Sequence, residues 1–124
     1  MTEEETKTEE VKDSILNSIK KLLGVTQDNT VFDDVIALHI NTALANIISM
    51  GVGPQNGYRI TSSENLWSEF LGNDKPLLIE NVKTLVYIKV KLIWDPPLNS
   101  AVIESYEAQA KEIEYRIYTE KGQY

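Results

Sequence analysis

The segment from Asn81 to Val102, NVKTLVYIKVKLIWDPPLNSAV, limits the possible folds more than any other part of the chain. Up to Trp94 it is apolar on most sides at helical spacing. Leu85, Ile88 and Leu92 share one side, and Val82, Val86, Val90 and Ile93 share an adjacent one. A helix apolar around most of its circumference has to be covered around most of it, so this helix, read from about Pro76 to Asp95, is expected at the centre of the fold. Only a narrow strip, with Lys83, Tyr87, Lys91 and Trp94, reads as amphipathic. Lys89 falls among the apolar positions. A buried unpaired ammonium is expensive, so Lys89 must either stretch to solvent along its stem or meet a carboxylate, one on another subunit included.

Pro96 and Pro97 break the helix and push the residues before them out of helical geometry. A fifth helix then starts near Leu98–Ser100 and reaches about Thr119. Its apolar face is Val102, Ile103, Tyr106, Ala110, Ile113 and Ile117. Glu107/Lys111 and Glu112/Arg116 stand as i,i+4 pairs in the favourable order. Upstream, a first helix is expected from about Glu9 to Leu23, with Val11, Ile15, Ile19, Leu22 and Leu23 on one side, Lys12, Lys20 and Lys21 flanking them, and Gly24 as the stop. Thr30 is the expected N-cap of a second helix that ends near Met50. Asp33 and Asp34 sit in its first turn, where the helix dipole favours them. Its main stripe is Phe32, Ile36, Ile40, Ala43 and Ile47, while Val35 and Leu38 lie on another side. Two apolar sides imply a helix packed between partners.

Gly51-Val-Gly-Pro-Gln-Asn-Gly57 cannot continue that helix and reads as a loop, with Tyr58–Ile60 briefly extended. Thr61-Ser-Ser-Glu64 has capping-box spacing and is expected to open a short helix carrying Leu66, Trp67, Phe70 and Leu71, closed by Gly72. Pro76 suits the first turn of the next helix. The class is therefore all-α, a single-domain bundle of about five helices with a Gly/Pro-rich loop after the second. Residues 1–10 read as an acidic arm in which Thr6–Glu9 also has capping-box spacing, residues 11–120 as the helical domain and residues 121–124 as a short tail.

At 124 residues, such a domain buries roughly two-thirds of its unfolded surface and needs no disulfide or metal. Cysteine is absent, which excludes thiol catalysis, cysteine-type zinc sites and a disulfide framework and fits a reducing compartment. No apolar run is long enough to span a bilayer, and the start of the chain is acidic where a secretory leader is basic and then apolar, so a soluble cytosolic protein is expected. The net charge of −7 argues against general affinity for the outside of a duplex but suits a channel through which DNA slides without sticking.

No catalytic constellation stands out, and no cofactor or metal is expected. The lone histidine, His39, borders the apolar stripe of the second helix and reads as structural or surface. Asp33 and Asp34 are adjacent and diverge. The Gly51–Gly57 loop lacks a Gly-Lys-Ser/Thr ending and follows a helix instead of a strand, unlike a phosphate loop. Among the aromatics, Trp67 and Phe70 read as core, Trp94 as either core or contact, and Tyr115, Tyr118 and Tyr124 as contact residues off the apolar face of the fifth helix or at the chain's end.

The run from Val82 through Trp94-Asp95-Pro96-Pro97, then Ser100-Ala101-Val102 and an acidic helix ending Glu112-Ile113-Glu114-Tyr115-Arg116-Ile117, resembles the head–tail connector family of tailed bacteriophages, the adaptors of head completion. Asp33-Asp34, Ile40-Asn41, Gly51-Val52-Gly53-Pro54, Trp67 and Phe70-Leu71-Gly72 agree with it, and the resemblance spans roughly residues 11–117. It implies a structural virion protein of the head–tail junction, made in the host cytoplasm. It further implies a self-assembled ring, commonly a dodecamer, docked beneath the portal protein. Such a ring extends the DNA channel, lets DNA pass without sequence-specific binding and offers a platform to stopper or tail-completion proteins. No active site and no membrane partner go with it.

A ring closes through two different complementary patches on each subunit. The expected patches are the Lys83/Tyr87/Lys91/Trp94 strip, with Lys89 and Asp95 beside it, and the acidic outer face of the fifth helix, Glu104, Glu107 and Glu114. Charge reversal at Lys91 or Glu107 should then weaken assembly. The competing readings are a small helical DNA-packaging protein, for which Lys12, Lys20 and Lys21 on the first helix are the best available basic set, and a helical regulatory protein that binds one partner through its acidic arm.

Overall fold

The helix α4 (Pro76–Trp94) lies where its apolar circumference requires, with other helices on several of its sides. The computed structural model describes residues 13–121. In them the chain forms α1 (Ile15–Leu23), α2 (Asp33–Ser49), α3 (Trp67–Leu71), α4 and α5 (Ser100–Glu120). The fold is all-α, with a single isolated β-bridge, Ser14 to Leu66, among the described residues. α4 packs against α1, α2 and α5, and α1 also packs on α2. α2 and α5 make little contact with each other, so α4 forms the middle of an α2–α4–α5 layer. Val82, Leu85, Val86, Ile88 and Val90 of α4 are buried in it, with Ile36, Ile40, Ala43, Leu44 and Ile47 from α2 and Ala110, Ile113 and Ile117 from α5.

Several boundaries differ from those read in the sequence, each for a local reason. α1 is capped at Ser14, whose extended backbone and Oγ, accepting from the Asn17 N–H at 3.2 Å, start a helix there. The segment 61–68 explains why: the Ser14 hydroxyl donates to the Ser63 carbonyl at 2.7 Å, and the Ile15 N–H donates to the Asn65 carbonyl at 3.1 Å. The capping box at Thr6–Glu9, Val11 and Lys12 lie outside the described residues. Thr30 does not cap α2. The helix begins after Phe32, and the ring of Phe32 leaves the core stripe to meet Trp94 edge-on at 5.6 Å. Thr61–Glu64 opens no helix, because Asn65 Oδ1 gathers the Thr61 and Ser62 N–H groups into a turn. The N-terminus of α3 lies further on, where the Glu69 carboxylate accepts from the Leu66 N–H at 2.7 Å.

The Gly/Pro loop after α2 folds inward. Val52 and Ile60 are buried. Ile60 has no strand partner, but its N–H donates to Asn41 Oδ1 at 2.7 Å and its carbonyl accepts from Asn41 Nδ2 at 3.0 Å. One side-chain amide thus supplies both bonds that a neighbouring strand would give. Gly53 has a positive φ of 82°, and a Cβ there would stand 2.6 Å from the buried Phe70 ring. Glycine is required both by the backbone and by that close approach. α4 ends at Asp95, and the Asn99 side chain then caps α5 by accepting from the Ala101 N–H at 2.7 Å.

Lys20, read as a flank of the first helix, is only 1% exposed. Its Nζ stands 2.8 Å from Asp33 Oδ1 and donates to the Gln27 carbonyl at 3.2 Å. Asp33, in the first turn where the helix dipole favours it, is therefore also the counter-ion of a buried ammonium, tying the end of α1 to the start of α2. Breaking a buried pair from one side strands the other charge. Asp33 keeps 27% exposure and can recover water, whereas Lys20 cannot. Asp33→Asn is expected to destabilise the fold by about 3 kcal/mol or more, and Lys20→Met by clearly less, as read from urea unfolding midpoints. Gly53→Ala should cost on the order of 2 kcal/mol, combining left-handed strain with displacement of a core ring.

Candidate interaction surfaces

Among the described residues, no three or more His, Asp or Glu side chains are grouped so as to hold a metal ion. No helix in them is long and apolar enough to cross a membrane. His39 is half-buried beside Lys89, Leu92 and Ile93 along an open groove between α2 and α4. What chemistry the surface carries is that of contact: charges, aromatic rings and uncovered apolar side chains.

The strip on α4 meets groups of its own subunit. Lys83 Nζ stands 5.9 Å from the centre of the Trp67 ring system, a cation–π arrangement. Tyr87 packs edge-on against Tyr106 of α5, and burial, with Tyr106 beside it, raises its phenol above the usual value. Lys91 Nζ pairs with Asp95 Oδ2 at 2.9 Å, and Trp94 is partly buried against Phe32. The question posed by Lys89 is answered within the subunit: its Nζ meets Glu114 Oε1 of α5 at 3.0 Å. Glu114 therefore points toward α4 and belongs to the helix–helix seam, not to the outer face of α5.

The outer face of α5 is open. Glu104 and Glu107 are exposed, and so are Ala101, Ser105, Ala108 and Lys111. Of the two i,i+4 pairs expected here, Glu112–Arg116 closes at 2.6 Å. Glu107 and Lys111 do not pair. Tyr115 is exposed and Tyr118 is partly buried against the core, while Tyr124 lies outside the described residues. The C-terminal end of α5 is clamped to the turn before α4 by Lys121 Nζ–Asp74 Oδ2 at 2.8 Å and Lys75 Nζ–Glu120 Oε1 at 2.7 Å. The hydrogen bond from Lys121 is the main reason the Asp74 carboxyl is held below its usual range. Burial and then a 3.0 Å hydrogen bond to Glu69 push the Tyr58 phenol up to about 12.

The larger surface feature was not expected. Val35 (46% exposed) and Leu38 (63% exposed), which marked the second apolar side of α2, have nothing packed over them among the described residues. Thr42, Ala45 and Ser49 continue the same uncovered line. A groove runs beside it, walled by Ala37, Asn41 and Thr42 on one side and by Tyr58 and Arg59 on the other. The sequence signal of a two-sided helix was real, but the described residues of the subunit cover one side only. On α1, the basic set weighed for DNA contact loses Lys20 to the interior, leaving Lys21 exposed and Lys12 outside the described residues.

These features define a small all-α subunit with a filled centre and two bare flanks. The phage connector protein family matches residues 15–123 of the chain, nearly its whole length, and the chain belongs to that family. In broad terms its role is that of a phage head–tail connector, a component of the virion that meets other head and tail proteins. No curated protein and no solved structure gives a match.

A carboxylate held below its usual range stabilises the fold above its unfolded pKa, and that contribution disappears as pH falls through the lowered folded value. Asp74 and Glu69 both have this sign. Stability is therefore expected to decline below about pH 4, the ordinary carboxylate range. Asp74→Asn should unfold at lower urea near neutral pH and show a shallower acid decline, measured as unfolding midpoint against pH.

Proposed function

We propose that the protein assembles with copies of itself into a closed ring beneath the portal. There the ring lengthens the DNA exit channel and gives the stopper or tail-completion proteins a surface to dock on. Its work is positional, and no substrate is turned over. The observation that carries this reading is the mismatch between surface and subunit: α2 and α5, on opposite sides of α4, each turn one long face to solvent. Two different open faces on opposite flanks suit head-to-tail contacts, and such contacts produce rings when the rotation closes. The acidic balance of the chain, −7 overall, suits a channel wall along which a polyanion moves without being held.

The proposed ring patch on α5 includes Glu104 and Glu107, whose carboxylates have no partner among the described residues. Tyr115, Tyr118 and Tyr124, towards the end of the chain, are proposed as contacts to the portal or to the tail-side protein. Sedimentation and mass measurement, on the protein alone and mixed with its portal, test the proposal. The expected result is a closed oligomer of defined mass, formed at high concentration or on the portal. A strictly monomeric protein under both conditions overturns it.

A further inference from the structure

We infer that neighbouring subunits of the ring meet by laying the outer face of α5 from one copy across the uncovered line of α2 on the next, antiparallel. This rests on the ring reading above and names its contact. The α2 line Val35, Leu38, Thr42, Ala45, Ser49 repeats at three and four residues and bears no charge. That is the spacing of a seam that receives another helix side by side. α5 presents Ala101, Ser105 and Ala108 outward at the same spacing, on the side away from its buried Ala110, Ile113 and Ile117.

The charges select this occupant and this direction. Beside the α2 line stand Asp34, at the start of the helix, and Arg59. The backbone of Ile60, the residue after Arg59, is held on Asn41, so Arg59 flanks α2 one position pair further along, near Asn41 and Thr42. The outer face of α5 carries Glu104 and Lys111. None of these four side chains has a charged partner among the described residues. Asp34 to Asn41 and Glu104 to Lys111 are both steps of seven residues, about 10 Å along a helix. With the helices antiparallel, Asp34 faces Lys111 and Arg59 faces Glu104. The same register brings the bulky, exposed Leu38 level with Glu107 and within one residue of the small Ala108, about 1.5 Å along the helix. In the parallel direction this register sets Asp34 against Glu104 and Arg59 against Lys111, like against like.

The contact also continues the architecture of the subunit. The order α2–α4–α5 becomes α2–α4–α5–α2–α4–α5 from copy to copy, so each helix of the layer acquires a neighbour on both sides. Because α4 separates α2 from α5 within a chain, residues 38 and 108 can approach only between chains.

The chain has no cysteine, so the full-length double variant Leu38→Cys/Ala108→Cys carries only the two introduced thiols. After oxidation under assembling conditions it should give a ladder of covalent multimers that collapses to monomer on reduction, while either single variant stops at dimer. In parallel, Arg59→Glu alone and Glu104→Arg alone should each reduce assembly at least about tenfold, and the two together should restore it. The ladder or the charge rescue establishes the contact. Failure of both, while the wild-type protein forms closed oligomers, overturns this contact and leaves the ring reading standing, with another face or another virion protein covering α2. Failure of the wild type to form oligomers at all removes the ring reading and this contact with it.

Discussion

Everything in this fold follows from the need to cover α4. A helix with valine, leucine or isoleucine on most of its sides cannot sit at a surface, and a chain of this length has few elements with which to surround it. α1 and α2 take one part of its circumference and α5 another. The remaining exposed apolar side chains on α4, Leu77 and Ile93, lie near its two ends, along open grooves beside α5 and α2 respectively. Once α4 is enclosed, no further described element is left to cover the covering helices. α2 and α5 keep bare outer faces because they are the last layer of the subunit.

That shortage links packing to function. Val35 and Leu38 are apolar yet uncovered by the described residues of the subunit. They extend an uncharged line along a helix and are flanked by Asp34 and Arg59, which have no charged partner among the described residues. The strip on α4, by contrast, looks available when laid out on a wheel but is occupied in three dimensions, by Trp67, Tyr106, Asp95 and Phe32 in turn. The difference is one of depth: α4 is an inner helix, so its polar residues serve neighbours inside the subunit, while α2 and α5 are outer helices.

The helical elements were legible from periodicity and punctuation. Gly24, Gly72, Pro76 and the Pro96-Pro97 break fall where the helices end or begin, and the core faces of α2, α4 and α5 are largely those read from spacing. The misread details are those that depend on a distant segment. Ser14 caps α1 because residues 63–66 lie across it. Asn41 replaces a strand for Ile60, nineteen positions away. Lys20 reads as a surface residue until Asp33 is brought to it. Lys89, out of place among apolar neighbours, did signal a carboxylate partner, and the partner is the part-exposed Glu114 of the same subunit. The open line on α2 was visible as a second apolar side, but that it lacks cover could not be seen without knowing where every other helix goes.

The Lys20–Asp33 pair carries a consequence for how this sequence can drift. The ammonium is tolerable only beside the carboxylate, since it is buried and its only other bond among the described residues is to one carbonyl. Neutral replacement at one position first passes through a weakened protein, whereas simultaneous replacement by an apolar pair of similar volume need not. Related chains should therefore not keep the lysine without the aspartate, whereas the part-exposed aspartate can outlast the lysine.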